Sequence, residues 1–327
     1  MMDTKWKQDR YLWNREGPVD LEVARLERTL ASLRYRGASK RTSNWRWIVA
    51  AAALAAVAAL LVWTPFGAGI SESPDAAEAG REKPATWELA GLQQTIRNLR
   101  PGDVLETSAG ESLQLRSSQL GIVTIQPGSR LRLLPQRGNQ ERLALDFGAL
   151  RAIIVAPPAE FAVDTPTATA IDLGCVYTLR IGRDGNGAVH VETGWVALQA
   201  KGRESFIPSG ARSAMRNGEG PGLPIYDDAT EQFQRAVELF DSGDPSATVK
   251  LLREARSRDA LTLWHLLSRA APSERLQVAA RFAELVTLPR NLAIPNLAAG
   301  EAAAMDAAWN ALSLGDTHWW RTWKRTL

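Results

Sequence analysis

The longest unbroken run of apolar residues in the chain extends from Trp47 to Trp63. About twenty residues in a helix, at 1.5 Å per residue, span about 30 Å, the thickness of a bilayer core. Aromatic residues flank this run on both sides, as they do at membrane interfaces. A cleaved signal peptide would need a short leader, whereas 46 residues precede the run. We therefore predict a transmembrane helix over residues 47–66, with an alanine-rich core helix as the alternative.

Before this run, residues 1–46 contain a single apolar stripe that recurs at helical spacing. So short a segment cannot bury the stripe on its own. The helix therefore either lies on the membrane surface or docks onto a cytosolic partner, and we favour docking. The expected partner-binding residues are Trp13, Val23, Leu26, Leu30 and Leu33.

After the apolar run, residues 67–86 are rich in Gly, Ala, Ser, Pro and Glu and read as a linker. Residues 87–226 carry short alternating runs separated by Gly and Pro. Within them, the tetrapeptide from Asp184 to Gly187 is a strong hairpin signal. This pattern predicts an all-β domain of the sandwich, barrel or solenoid type.

Residues 227–327 change to a helical period and predict five or so short helices in a small α-subdomain. Asp228 and Glu231 resemble a capping box at the first of these helices. At the C-terminus, Trp319, Trp320 and Trp323 alternate with basic residues. We expect this segment to fold back onto the helices, to rest at a membrane interface or to bind a partner.

Charge sets the expected orientation. Residues 1–46 hold 11 Lys/Arg and 6 Asp/Glu, whereas the remaining residues hold 28 and 30. The basic character suggested by the pI of about 9.2 therefore belongs to the tail, where it indicates a cytoplasmic N-terminus rather than nucleic-acid binding. We predict a bacterial inner-membrane protein that spans the bilayer once, with its C-terminal bulk in the periplasm.

Chemistry is sparse in this sequence. The chain has one cysteine and three histidines at no metal-ligand spacing, and it lacks phosphate-loop, zinc-protease and nucleophile-elbow motifs. We predict no enzyme, catalytic residue, metal or cofactor. Cys175 reads as a small buried hydrophobe, His265 as a hydrogen-bonded structural histidine, and Asp164 and Asp172 as turn residues.

An ordered set of motifs in the β region resembles the FecR domain. Ile125 to Leu133 is similar to that family's Asp-Gly-Ser strand, although Pro127 replaces the Asp. A Phe-x-Val strand, a Gly-Thr-x-Phe strand and a final Gly-x-Val strand follow in the family's order, here with Cys for Thr and Tyr for Phe. The matching residues are Phe161, Val163, Gly174, Cys175, Tyr177, Gly194 and Val196.

The resemblance implies a single-pass regulator whose cytoplasmic tail binds an extracytoplasmic-function sigma factor and whose outer domain receives a signal from an unknown periplasmic ligand or protein. Some related anti-sigma tails bind zinc, but residues 1–46 contain neither His nor Cys. No direct contact with nucleic acid is implied. The alternative is a membrane-tethered envelope scaffold that has no sigma-factor partner.

Overall fold

The computed structural model describes residues 87–90 and 97–314. The predicted tail, transmembrane helix and linker lie outside these residues, as do the three C-terminal tryptophans. Within the described residues, no helix is both long enough and apolar enough to span a membrane.

Sixteen strands occupy the first part of the described chain, joined by Gly-rich turns. In chain order they are β1 Glu88–Ala90, β2 Arg97–Asn98, β3 Val104–Glu106, β4 Leu113–Ser117, β5 Gly121–Ile125, β6 Arg130–Leu133, β7 Glu141–Ile154, β8 Phe161–Asp164, β9 Thr169–Asp172, β10 Val176–Ile181, β11 Gly187–Thr193, β12 Trp195–Ala200, β13 Arg203–Pro208, β14 Ala211–Arg216, β15 Gly220–Pro221 and β16 Ile225–Tyr226. The predicted hairpin is confirmed, because the Asp184–Gly187 turn joins β10 to β11.

Strand β7 is 14 residues long and belongs to two sheets. Its C-terminal half lies in a first sheet of order β2–β1–β4–β5–β7–β10–β11–β14–β15, and β16 also pairs with β14. Its N-terminal half lies in a second sheet of order β3–β6–β7–β8–β9–β12–β13. Of the described strand pairs only β7 and β8 run parallel. The sheets nearly close at their far ends, where Ser205 and Ser213 both donate to the carbonyl oxygen of Gly222.

Odd-numbered residues face the core in the first half of β7, and even-numbered residues do so in the second half. Leu143 and Leu145 face the core in the first half, whereas Leu150, Ala152 and Ile154 do so in the second. A one-residue bulge changes which side of a strand faces the core. The pairing of β6 with β7 shifts register at this place, between residues 130 and 131. The bulge therefore lets one strand contribute core residues to both sheets.

Gly148 makes this crossing possible. Its φ is +99°, and a Cβ there would lie 2.2 Å from Oγ and 2.4 Å from Cα of Ser129. The Ser129 hydroxyl donates to the carbonyl oxygen of Ala149 and accepts from its N–H, at 3.1 and 2.9 Å. The Ser129 N–H donates in turn to Oγ1 of Thr107 at 2.9 Å. Buried hydroxyls thus satisfy the backbone where β7 leaves its regular ladder.

Helices follow the last strand. They are α1 Glu231–Asp241, α2 Ala247–Glu254, a 3₁₀ turn Ser257–Asp259, α3 Ala260–Leu267, α4 Arg275–Leu285, α5 Ile294–Ala298 and α6 Ala302–Ala311. The predicted β-rich domain with a small C-terminal helical part is therefore confirmed. The predicted capping box is wrong in its position, because Thr230 caps α1 and accepts from the N–H of Phe233. Buried residues of the sheets and the helices form one continuous hydrophobic cluster.

We expect Gly148→Ala to lower the free energy of unfolding by about 3 kcal/mol or more, because the added methyl group adds a backbone clash to a left-handed φ. The measurement is chemical unfolding of the fragment 81–327, which contains all the described residues. Gly102→Ala is the matched control, since its φ is +97° with no atom within 4 Å of the added Cβ. That control should lose only about 1–2 kcal/mol, from the φ alone. Equal losses at the two positions would contradict the role given to the Ser129 contact.

Candidate functional site

The family-motif residues lie where the chain passes between the two sheets. Phe161, Val163, Tyr177 and Val196 have fully buried side chains in strands β8, β10 and β12. Each contributes to the shared core, so the apolar members of the motif have a packing role. The predicted partner-binding residues of the tail, from Trp13 to Leu33, lie outside the described residues.

Two glycines of the motif form a second crossing. Gly174 lies between β9 and β10, and Gly194 lies between β11 and β12, so at each the chain changes sheet. A Cβ at Gly194, whose φ is +76°, would lie 2.0 Å from the carbonyl oxygen of Gly174. The Leu173 N–H donates across the crossing to the Trp195 carbonyl oxygen at 3.1 Å. Only glycine fits at Gly194, which gives the motif position a steric reason.

Asp172 holds this crossing together from inside the core. It is 1% exposed, and its Oδ1 accepts from the Gly174 N–H at 2.7 Å. Its Oδ2 accepts from the Cys175 thiol at 2.6 Å. Its carbonyl oxygen accepts from the Ala159 N–H at 2.7 Å. The predicted turn role is confirmed, but its near-complete burial was not foreseen, because a lone Asp before Leu-Gly reads as an ordinary surface turn.

Burial governs the protonation of this cluster. It raises the pKa of the Asp172 carboxyl to about 6, against the hydrogen bonds from Cys175 and Gly174 that favour the charged form. Burial and the neighbouring Asp172 carboxyl both raise the pKa of the Cys175 thiol well above its ordinary value. Cys175 is 2% exposed, so the prediction of a small buried hydrophobe is confirmed.

Tyr177 shares the cluster and is less well satisfied. Its hydroxyl is buried and has no hydrogen-bond partner among the described residues. Burial raises the pKa of this phenol, with the Asp172 carboxyl acting in the same direction. A phenylalanine, the residue usual in the family at this place, would fill the same volume without an unpaired hydroxyl.

An aromatic junction joins the helices to the second sheet. Trp309 of α6 packs against Trp195 of β12 and Phe206 of β13, with ring centroids 5.8 Å apart in both cases. It also meets Trp264 of α3 edge to face at 4.8 Å. Aromatic pairs at these distances and tilts are stabilising beyond their buried area. The junction therefore fixes α3 and α6 on the sheet.

His265 bridges the same two parts through the backbone. Its Nε2 accepts from the Phe206 N–H at 3.0 Å, and its Nδ1 lies 2.9 Å from the carbonyl oxygen of Leu261. This pair of bonds requires the neutral ring with its proton on Nδ1. Burial, followed by the nearby Arg269 charge, lowers the pKa of His265 to about 3. The prediction of a hydrogen-bonded structural histidine is confirmed.

Arg269, which sequence reasoning missed, closes the junction. Its guanidinium donates to the carbonyl oxygens of Pro221 and Glu204 and to the Ser205 hydroxyl, at 2.7 to 3.1 Å. Burial lowers its pKa to about 10, while the Asp241 carboxylate opposes that change. An arginine just after an apolar helix gives no sequence signal of burial, because arginine is usually exposed.

The described residues contain no group of three or more His, Cys, Asp or Glu side chains placed to hold a metal ion. Their buried polar groups instead fix two crossings and one junction. Among those residues, the arrangement fixes the two sheets and the helices relative to one another.

Comparison with known proteins identifies part of this architecture. The family model described as FecR protein matches residues 103–197, which include both crossings, so the resemblance is confirmed there. Two crystal structures of a candidate anti-sigma factor from Parabacteroides distasonis ATCC 8503, at 1.65 and 2.50 Å resolution, are also similar. In each, the match has 21% identity and a TM-score of 0.33, and covers 41% of this chain and 63% of the other. The match thus spans less than two thirds of those proteins. No curated protein sequence matches the chain.

Asp172→Asn should become more stable relative to wild type as the pH rises. The folded-state pKa of about 6 lies above the ordinary value of 3.8, so the stability that this carboxyl contributes is fully present below pH 3.8 and is lost as the pH rises through about 6. The amide stays neutral, so the difference in unfolding free energy should grow by about 2 kcal/mol between pH 4 and pH 7. Denaturant unfolding of fragment 81–327 across this range is the measurement.

Tyr177→Phe is the control for this titration, because it removes the unpaired hydroxyl from the same cluster and leaves Asp172 in place. It should unfold with the pH dependence of the wild type. A flat difference between Asp172→Asn and the wild type would show that the carboxyl is not protonated on burial.

Trp309→Ala should lower the unfolding free energy of the whole described domain by about 3–5 kcal/mol, because it empties the centre of the junction. Trp309→Phe should cost less. Both variants should retain one transition, monitored by tryptophan fluorescence and by far-ultraviolet circular dichroism. A separate helical transition, with the sheet transition unchanged, would mean that the helices are an independent module.

Proposed function

We propose that this chain is a single-pass regulator of the bacterial inner membrane, whose tail binds an extracytoplasmic-function sigma factor and whose outer domain senses a signal. The observation that carries the proposal is the FecR match at residues 103–197. The sequence supports it further, because a predicted span at residues 47–66 separates a basic tail from the matched domain.

In this proposal the outer domain acts as a rigid unit. Its sheets and helices share one hydrophobic core, and the junction around Trp309 and Arg269 ties them together. When a ligand or partner binds to such a unit, the oligomerisation of the domain or its exposure to a protease changes more readily than its internal structure. A single helix transmits conformational change poorly, so we infer that oligomerisation or regulated cleavage carries the signal inward.

The tail would bind its sigma factor without a metal. Residues 1–46 contain neither His nor Cys, so affinity must come from the apolar stripe and Trp13. An amphipathic helix that places one apolar face in a groove is a common form of recognition. Val23, Leu26, Leu30 and Leu33 are the predicted anchors on that face.

The test is co-purification of the full-length chain, tagged at its C-terminus and extracted from native membranes, with each extracytoplasmic-function sigma factor of the same genome. We expect one of them to be retained, and Leu26→Asp to reduce retention about tenfold or more, because it buries a charge in the apolar contact. Leu21→Asp is the matched control, since Leu21 lies on the opposite face of the predicted helix.

Retention that survives Leu26→Asp, or is lost equally with Leu21→Asp, would contradict the assigned face. If the wild-type chain, intact in the membrane, retains no sigma factor, the regulator proposal fails. The membrane-tethered envelope scaffold would then be the working description.

A further inference from the structure

A cleft of about 490 Å³ lies over one end of the second sheet. This volume falls within the range of small-molecule sites. The β12–β13 hairpin forms one wall, and the start of β7 with its preceding turn forms the other. Between them, Thr169 and Gln199 lie on the side of the sheet opposite the core residues Ala170 and Leu198.

Positive charge gathers in this cleft from both walls. Its lining includes four cations, namely Arg137, Arg142, Lys201 and Arg203. Two carboxylates lie among them, Glu204 in the lining and Asp164 in an ion pair with Arg142. The cleft therefore has a net charge of two positive. By contrast, residues 47–327 as a whole contain two more acidic than basic residues. Converging cations with low-dielectric walls attract anions more strongly than scattered ones do.

The cations retain donors that the described residues do not use. Lys201 donates one bond, to the carbonyl oxygen of Gly218 at 2.6 Å, and an ammonium has three donors. Arg203 has one long contact, 3.4 Å, to the carbonyl oxygen of Glu219. Arg137 forms no ion pair with any residue in the described ranges. These groups are free to donate to an oxyanion.

The backbone at Lys201 points to the same conclusion. Ala200 pairs with Arg203, so Lys201 and Gly202 form a two-residue hairpin loop. Their φ values are +49° and +74°, as in a type I′ turn, where Asn-Gly is the preferred sequence. A lysine adopts this conformation at an energetic cost, and such strained residues collect at binding sites.

We propose that this cleft binds a small ligand of about the size of a sugar that carries a carboxylate or a phosphate group. The cations hold the oxyanion, in charge-assisted hydrogen bonds. Gln140, Gln199 and Thr169 also line the cleft, around the apolar side chain of Ile171. Each donates one bond within the protein, to the Ala159 carbonyl oxygen, the Glu204 carboxylate and the Asp164 carboxylate respectively, and the polar capacity that remains can meet the rest of the ligand. The site stands independently of any sigma-factor binding.

The test uses the full-length protein in detergent, titrated calorimetrically with inorganic phosphate, glucuronate and glucose at an ionic strength held constant with sodium chloride. The site variant is Arg137→Gln with Lys201→Asn, which removes one cation from each wall and installs the preferred Asn-Gly turn. Its fold should therefore be kept. The control is Arg235→Gln with Arg253→Gln, which removes the same charge from exposed helix positions away from the cleft.

We expect at least one of the two anions to bind saturably at one site, and the site variant to weaken that binding about tenfold or more. The control should bind as the wild type does, and glucose should not bind. Phosphate alone would identify a phosphorylated ligand, glucuronate alone a carboxylated one, and both outcomes support the site. No saturable binding of either anion, equal weakening in the two double variants, or glucose bound as tightly as glucuronate would overturn the proposal.

Discussion

At Gly148 the backbone of β7 passes so close to Ser129 that a single added carbon would lie 2.2 Å from the serine oxygen. The same steric limit applies at Gly194, against the carbonyl oxygen of Gly174. At both places the chain moves from one sheet to the other, and a side chain at either would push the sheets apart. Because β7 supplies core residues to both sheets, the enclosure of the core depends on these close approaches. The glycines are therefore structural requirements of the fold.

Buried ionisable groups then connect the crossings to the rest of the domain. Asp172 satisfies the backbone and the thiol at one crossing, whereas His265 and Arg269 satisfy backbone groups of the second sheet from the helical side. Burial shifts the pKa of each of these three side chains, and each forms its hydrogen bonds within the domain. Loss of one hydrogen-bond partner of such a buried group strongly destabilises the fold. These groups therefore specify a single arrangement of the helices on the sheet. A domain held in this way presents its surfaces, including the basic cleft, in fixed geometry.

Local features of this structure could be predicted from the sequence, but few of the contacts between distant residues could. Alternating apolar residues and the Asp184–Gly187 turn predicted strands and a hairpin, because these signals are carried by neighbouring residues. The ordered motifs predicted the FecR resemblance and singled out Gly174 and Gly194. The Gly148–Ser129 contact joins residues 19 positions apart and depends on the pairing of two sheets, so no local pattern reveals it. Arg269 and the basic cleft were missed for the same reason, since polar residues distant in sequence meet only after folding.

In the proposed account, a rigid outer domain is joined to a short tail whose apolar stripe holds a sigma factor. The most direct measurement is the transcript profile of cells in which the chain is deleted, complemented with the wild type or with the Leu26→Asp variant. The account predicts that deletion changes a set of transcripts sharing one promoter sequence, that the wild type restores them, and that the variant produced in equal amount does not. An unchanged profile, or equal restoration by the variant, would contradict it.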